Sequence, residues 1–179
     1  KRIYKMRVIS GKYKGKKLDG FNIEGTRPTM DRVKESMFAL IQNEIKDAIC
    51  LDLFAGSGSL GIEALSNGAK KCYFVDNNQI AIDTIIKNTK DITNKEILKK
   101  DCFVALDEFK NKITFDIVFL DPPYHDDLIN KVLFKLKENK LLNTNGIIVC
   151  ELEDDNIKTD FKLVKEKKYG YKKVKIFKN

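Results

Sequence analysis

From Ile49 onward, short and nearly continuous apolar runs alternate with segments whose apolar residues recur at helical spacing. The runs Ile49–Phe54, Cys72–Val75, Ile97–Lys100, Phe115–Leu120 and Gly146–Leu152 predict strands. Between them the pattern predicts a helix reaching about Asn67, one with Ile82, Ile85, Ile86 and Thr89 on a face, a short one from Phe103, and one carrying Ile129, Val132, Leu133 and Leu136. Repeated β-α-β with apolar strands implies a parallel sheet covered by helices on both faces, because such strands have no polar side to turn to water. The tail, Phe161–Lys168 and Tyr171–Phe177 around Tyr169-Gly170, predicts two antiparallel strands closing the sheet.

Ahead of this core, Met6–Ser10 and Lys16–Leu18 flank Gly11-Lys12-Tyr13-Lys14-Gly15, which predicts a hairpin. Thr26-Arg27-Pro28-Thr29 then leads into a helix with Val33, Met37, Leu40, Ile41 and Ile45 on one stripe and Thr29 as its N-cap. The expected organisation is an amino-terminal hairpin-and-helix extension over residues 1–45 and an α/β core over residues 46–179, together one compact domain. With 179 residues, 42% apolar and 34% charged, the chain fits one globular core and excludes disorder, collagen and coiled coil. No apolar run reaches the length of a membrane span, and the charged start has no apolar stretch behind it to make a secretory signal. The expectation is a cytoplasmic monomer without membrane contact. Cys50, Cys72, Cys102 and Cys150 stand far apart, with no C-x-x-C pair, and are read as buried thiols; no metal is expected.

Charge adds a partner class. Residues 1–17 hold eight bases and no acid, residues 158–179 nine bases against two acids, and the middle 17 bases against 24 acids. An acidic body with two basic ends suits a polyanion, and Arg7, Lys12, Lys14, Lys16 and Lys17 are the candidate phosphate contacts.

The chemistry is concentrated in two segments. Asp52-Leu53-Phe54-Ala55-Gly56-Ser57-Gly58-Ser59-Leu60-Gly61 follows the first core strand as a G-x-G-x-x-G, whose glycines allow a tight turn against a ligand at a helix N-terminus. Asp76 ends the next strand 20 residues after Gly56, where a carboxylate can take ribose hydroxyls. An adenosine cofactor is implied, and the glycines alone leave nicotinamide and flavin open. Asp52, however, sets an anion where a pyrophosphate would approach, which favours a cationic or zwitterionic ligand. The second segment, Leu120-Asp121-Pro122-Pro123-Tyr124, closes the fourth parallel strand on the same sheet edge. Its two prolines remove donors and stiffen the backbone, leaving the Asp121 carboxylate and the Pro122 carbonyl as acceptors for both hydrogens of an amine. Tyr124 offers a flat face for an unstacked base.

Asp52–Gly61 together with Asp121-Pro122-Pro123-Tyr124 resembles the class I S-adenosylmethionine-dependent amino-methyltransferases, with their Rossmann-like, mostly parallel seven-stranded sheet. Met6-Arg7-Val8-Ile9-Ser10-Gly11, Thr26-Arg27-Pro28-Thr29 and Asp31-Arg32-Val33-Lys34-Glu35 narrow the resemblance to the RsmD family, which methylates the 2-amino group of a guanine in small-subunit (16S) ribosomal RNA. The resemblance implies S-adenosylmethionine as cofactor, and ribosomal RNA or an assembling small subunit as partner. It implies that Asp52 and the loop Ala55, Gly56, Ser57 and Gly58 hold the methionine end, that Asp76 beside Asn77 takes the ribose, that Asp101 and the Cys102 backbone meet the adenine, and that Arg27, Pro28 and Thr29 close the pocket. His125 is read as a loop residue. An adenine amino-methyltransferase would use the same clamp, a nicotinamide oxidoreductase would leave Asp121–Tyr124 unexplained, and a non-catalytic RNA-binding module would explain only the basic ends.

Overall fold

The computed structural model describes residues 6–20, 31–123, 127–153 and 156–179. Arg27, Pro28 and Thr29, with the expected N-cap, and Tyr124 and His125 lie outside the described residues. The hairpin forms from β1 (Met6–Arg7) and β2 (Lys17–Leu18), followed by α1 (Asp31–Leu40). The core then runs β3 (Ile49–Asp52), α2 (Ser59–Ser66), β4 (Lys71–Asp76), α3 (Gln79–Asn88), β5 (Lys95–Lys99), α4 (Cys102–Phe109), β6 (Phe115–Leu120), α5 (Leu128–Glu138) and β7 (Leu142–Leu152). It closes with β8 (Lys162–Tyr169) and β9 (Lys172–Lys178). The seven core strands make one sheet in the order β5-β4-β3-β6-β7-β9-β8, parallel through β7 and antiparallel in the last two. The carboxyl-terminal strand β9 thus inserts between β7 and β8, a pairing that the two expected tail strands did not specify.

Each face of the sheet has its own apolar layer. Cys50, Phe74, Ile117, Phe119, Val149, Val174 and Ile176 face α1, α2, α3 and the hairpin. Leu51, Val75, Val118, Leu120, Ile148 and Phe177 face α4 and α5. The expected stripe on α1 is cut short: the helix ends at Leu40, and Ile41 and Ile45 reach the core through turns closed by Ile41 N–H to Phe38 and Glu44 N–H to Ile41 carbonyl bonds of 3.3 and 2.9 Å. On α3 the buried face is Ala81, Ile82, Ile85 and Asn88, while Ile86, expected inside, is 51% exposed; the face is rotated toward Ala81 because that side meets the sheet. All four cysteines are free and buried, and burial raises their thiols.

The amino-terminal hairpin is a docked element. Glu63, the one charged residue of helix α2, accepts from Ile9 N–H at 3.0 Å, from Ser10 N–H at 3.0 Å and from the Ser10 hydroxyl at 3.0 Å. Lys34 of α1, 1% exposed, donates to the Arg7 carbonyl at 2.8 Å and to Ser59 Oγ at 2.9 Å, and its ammonium stands 3.6 Å from Glu63. Burial lowers the Lys34 pKa, and the Glu63 charge opposes that shift. At Gly11, with φ +80°, an added Cβ would fall 2.0 Å from the Ser66 carbonyl oxygen, so only glycine permits this approach to the end of α2.

Removing one partner of a buried pair strands the other charge. Lys34→Ala should therefore cost about 3–5 kcal/mol in urea unfolding. The double variant Lys34→Met, Glu63→Gln should recover part of that loss; equal losses in the two would show that the charge at Glu63 is not the origin of the cost.

Candidate active site

The carboxyl ends of four parallel strands lie along one edge of the sheet. In spatial order they present Asp101, just after β5, Asp76 at the end of β4, Asp52 at the end of β3, and Asp121, just after β6. Chain order reverses between β3 and β6, and the crevice at such a reversal is where open α/β sheets take their ligands.

The glycine loop is built from local chemistry. Ala55 N–H bonds the Val75 carbonyl at 3.0 Å, tying the loop to β4, and Gly58 N–H turns back to the Ala55 carbonyl at 2.7 Å. Gly56 and Gly58 have φ of 57° and 82°, conformations that a side chain disfavours, and Gly58 stands at the start of α2. Gly61 serves packing: an added Cβ there would come within 2.3 Å of the Phe74 ring. Asn88 donates to the Ser57 carbonyl at 2.9 Å and exchanges bonds with the Asp19 backbone, so α3 clamps the loop to the end of the hairpin.

The carboxylates differ in environment. Asp52 is buried and accepts from Gly61 N–H at 3.0 Å. Desolvation pushes its pKa up to about 7, with the nearby Asp76 charge acting the same way and the Gly61 amide opposing. Asp76 is half-buried and accepts from Gly56 N–H and Asn78 N–H, each at 2.9 Å, and Asn78 in turn caps α3. Asp76 therefore sets the loop's shape besides offering charge to a ligand. Asp101 is exposed and caps α4 through Phe103 and Val104 N–H, while Cys102 beside it is buried, its thiol pushed up to about 11 by burial. Asp121 and Pro122 are half-buried, Pro123 is exposed.

The fold brings together Asp52, Ala55, Gly56, Ser57, Gly58, Asp76, Asn77, Asp101, Cys102, Asp121, Pro122 and Pro123 on this edge. Of the five basic candidates, Arg7, Lys12, Lys14 and Lys17 are exposed. Lys16 departs from them: its side chain is only 21% exposed, 3.6 Å from Asp91, and its ammonium is a poor candidate for a phosphate. Sequence reasoning missed Lys34, Glu63 and Asn88. The readable signal was Glu63, one charge in the apolar stretch Leu60–Leu65.

Comparison with known proteins identifies the family. The family model described as Conserved hypothetical protein 95, the RsmD family, matches residues 6–178. The chain belongs to this family. It is 38% identical over 181 residues to the ribosomal RNA small subunit methyltransferase D of Haemophilus influenzae, covering 97% of this chain and 94% of that one. To the protein of the same name from Escherichia coli it is 35% identical over 153 residues, 84% of this chain and 76% of that one. A solved structure from Haemophilus influenzae, described as a candidate methylase, superposes with a TM-score of 0.79 at 35% identity over 98% of this chain and 99% of that one. The fold of this RsmD-family chain is accordingly the Rossmann-like methyltransferase fold. Among the described residues no helix is long and apolar enough to cross a membrane.

Asp52 makes stability depend on pH. Its folded-state pKa lies above the unfolded value near 3.8, so its contribution is fully present below the unfolded value and is lost as pH rises toward about 7. Asp52→Asn should therefore be more stable than the parent in urea at pH 8, by up to about 4 kcal/mol. The gap should close as pH falls from 7 to 4; a gap independent of pH would show that the carboxylate is not held in its neutral form.

Proposed function

We propose that this chain transfers a methyl group from S-adenosylmethionine to the exocyclic 2-amino group of a guanine in small-subunit ribosomal RNA. The observation that carries the reading is the placement of buried Asp52 under the glycine loop and of the Asp121-Pro122-Pro123 clamp on one edge of the sheet. The names of its relatives support an RNA substrate.

The donor set fits the cofactor. S-adenosylmethionine supplies an electrophilic methyl group on a positively charged sulfur and carries an ammonium besides. A carboxylate raised to about 7 with a second carboxylate beside it is a poor place for an anion and a good one for those cations. Asp52 and the backbone of Ala55–Gly58 would hold the methionine end. Asp76 with Asn77 would take the ribose, and Asp101 with the Cys102 backbone the adenine. Arg27, Pro28 and Thr29 are assigned to closing the pocket.

The target amine is a weak nucleophile because its lone pair is delocalised into the base. The Asp121 carboxylate and the Pro122 carbonyl accept from its two N–H groups, favour the pyramidal amine and stabilise the charge that develops on nitrogen as the methyl arrives. Pro122 and Pro123 contribute rigidity, so the acceptors need no reorganisation during transfer. Tyr124 supplies the surface on which the flipped base stacks. The proton leaves to Asp121 or to water after transfer.

Labelled S-adenosylmethionine and small subunits lacking the modification should put label into 2-methylguanosine after digestion of the RNA to nucleosides; label in a methyladenosine would favour the adenine reading instead. Asp121→Ala should retain cofactor affinity and lose transfer by on the order of a hundredfold, about 3 kcal/mol in the barrier. Near-normal turnover in that variant would remove the clamp from the mechanism.

The exposed basic residues of the hairpin are assigned to phosphates beside the target. Replacing Lys12, Lys14 and Lys17 by Ala should weaken RNA binding and reduce the slope of log affinity against log salt by up to about three. An unchanged slope would reduce these charges to a solvated surface.

A further inference from the structure

The strands beside Asp121 carry a polar pair that neither the core nor the cofactor edge accounts for. β6 and β7 run in parallel with Leu120 opposite Cys150, so one residue further on Asp121 leaves β6 alongside Glu151 of β7. Glu151 is 5% exposed, and Lys172, the first residue of β9, is 8% exposed. The Lys172 ammonium donates to Glu151 Oε1 at 2.7 Å, reaching back across the strand pair from β9 to β7. Val149, two residues before Glu151, lies in the apolar layer of α1, α2 and α3, so strand alternation turns Glu151 to the face that carries the glycine-loop helix. Tyr169 of β8, directly opposite Lys172, has a buried hydroxyl with no hydrogen-bond partner among the described residues.

A buried ion pair is a poor device for stability alone, since desolvating two charges offsets much of their attraction and apolar residues of similar volume serve a core as well or better. Its place argues for recognition. Across the sheet edge the order is Asp121, Glu151, Lys172: two acceptors, then a donor. The Lys172 ammonium is drawn from β9 onto the Glu151 carboxylate of β7, so the donor stands directly beside the second acceptor. The Watson–Crick edge of guanine presents its 2-amino group and N1–H as donors and then O6 as acceptor. Adenine and cytosine present an acceptor nitrogen beside their amine, and that nitrogen would face the Glu151 carboxylate with no proton between them.

We propose that Glu151 and Lys172 are the residues that select guanine, Glu151 accepting from N1–H and Lys172 donating to O6 while Asp121 and Pro122 hold the amine. The inference rests on the amine-methylation reading above and deepens it, giving base identity a source in this chain's own residues. The Tyr169 hydroxyl, on the residue paired with Lys172 across β8 and β9, is a further polar atom for the base or for a bridging water.

The test compares small subunits reconstituted with guanine or with 2-aminopurine at the target position. 2-Aminopurine keeps the amine and lacks both N1–H and O6. The wild-type protein should prefer guanine by at least a hundredfold in kcat/KM, because a buried pair built to bond two groups rejects an analogue lacking them. In the double variant Glu151→Gln, Lys172→Met, which removes both charges together, that preference should fall ten- to a hundredfold while cofactor affinity by calorimetry is unchanged. Lys172→Arg, which keeps a donor, should retain most of the preference. A folded double variant with the wild-type preference overturns the inference, as does a wild-type protein that methylates both targets equally, a result independent of whether any variant folds. Absence of label in 2-methylguanosine from wild type and guanine-bearing subunits would instead overturn the reading on which the inference rests.

Discussion

A carboxylate shut into the end of a parallel strand governs the site. Asp52 is fixed where β3 stops, with Gly61 N–H as its bonded donor, and the loop between them must bend back on itself to make that bond. Gly56 and Gly58 permit the bend through positive φ, and Gly61 permits the helix to lie against Phe74. The same burial that makes the bend compact leaves a carboxyl group poorly solvated, so the edge holds an electrostatic demand that a cationic ligand satisfies. Asp76 raises that demand while bracing the loop through Gly56 N–H. Loop geometry and ligand charge preference are thus consequences of one arrangement.

A second buried carboxylate, on the helix that follows the loop, couples the basic hairpin to it. Glu63 lies four residues beyond Ser59, and its bonds to Ile9 and Ser10 hold the hairpin against α2, which begins directly after the glycine loop. Lys34 draws α1 into the same contact and bonds Ser59 itself. The phosphate-binding surface assigned to the hairpin and the cofactor edge are therefore set on one helix, with Asn88 adding a bond from α3 to the loop. Under the proposed function, such a frame would hold RNA and reacting atom in fixed register, since effective positioning fails when reacting groups are misplaced by an ångström.

Much of this was readable from the chain. Apolar runs separated by helical periods implied a parallel sheet with two covered faces, because only burial on both sides tolerates strands such as Phe115–Leu120. The glycines of residues 56–61 and the prolines at 122 and 123 marked loops at the strand ends, since glycine frees the backbone and proline fixes it by local chemistry that holds in any fold. Ile86 and the end of α1 were misread for the opposite reason: which apolar residue of a helix turns inward depends on what the helix meets.

By itself, then, the sequence determined the strand-and-helix order, the loop conformations that require glycine or proline, and the resemblance that those motifs carry. The tertiary structure decided what depends on distant partners. It inserted β9 between β7 and β8, buried Lys34 against Glu63, drew Lys16 toward Asp91 and brought Glu151 to Lys172. Charge pairing and strand order are set by neighbours many residues away, and a residue's own type and local spacing do not encode which neighbour the fold will supply.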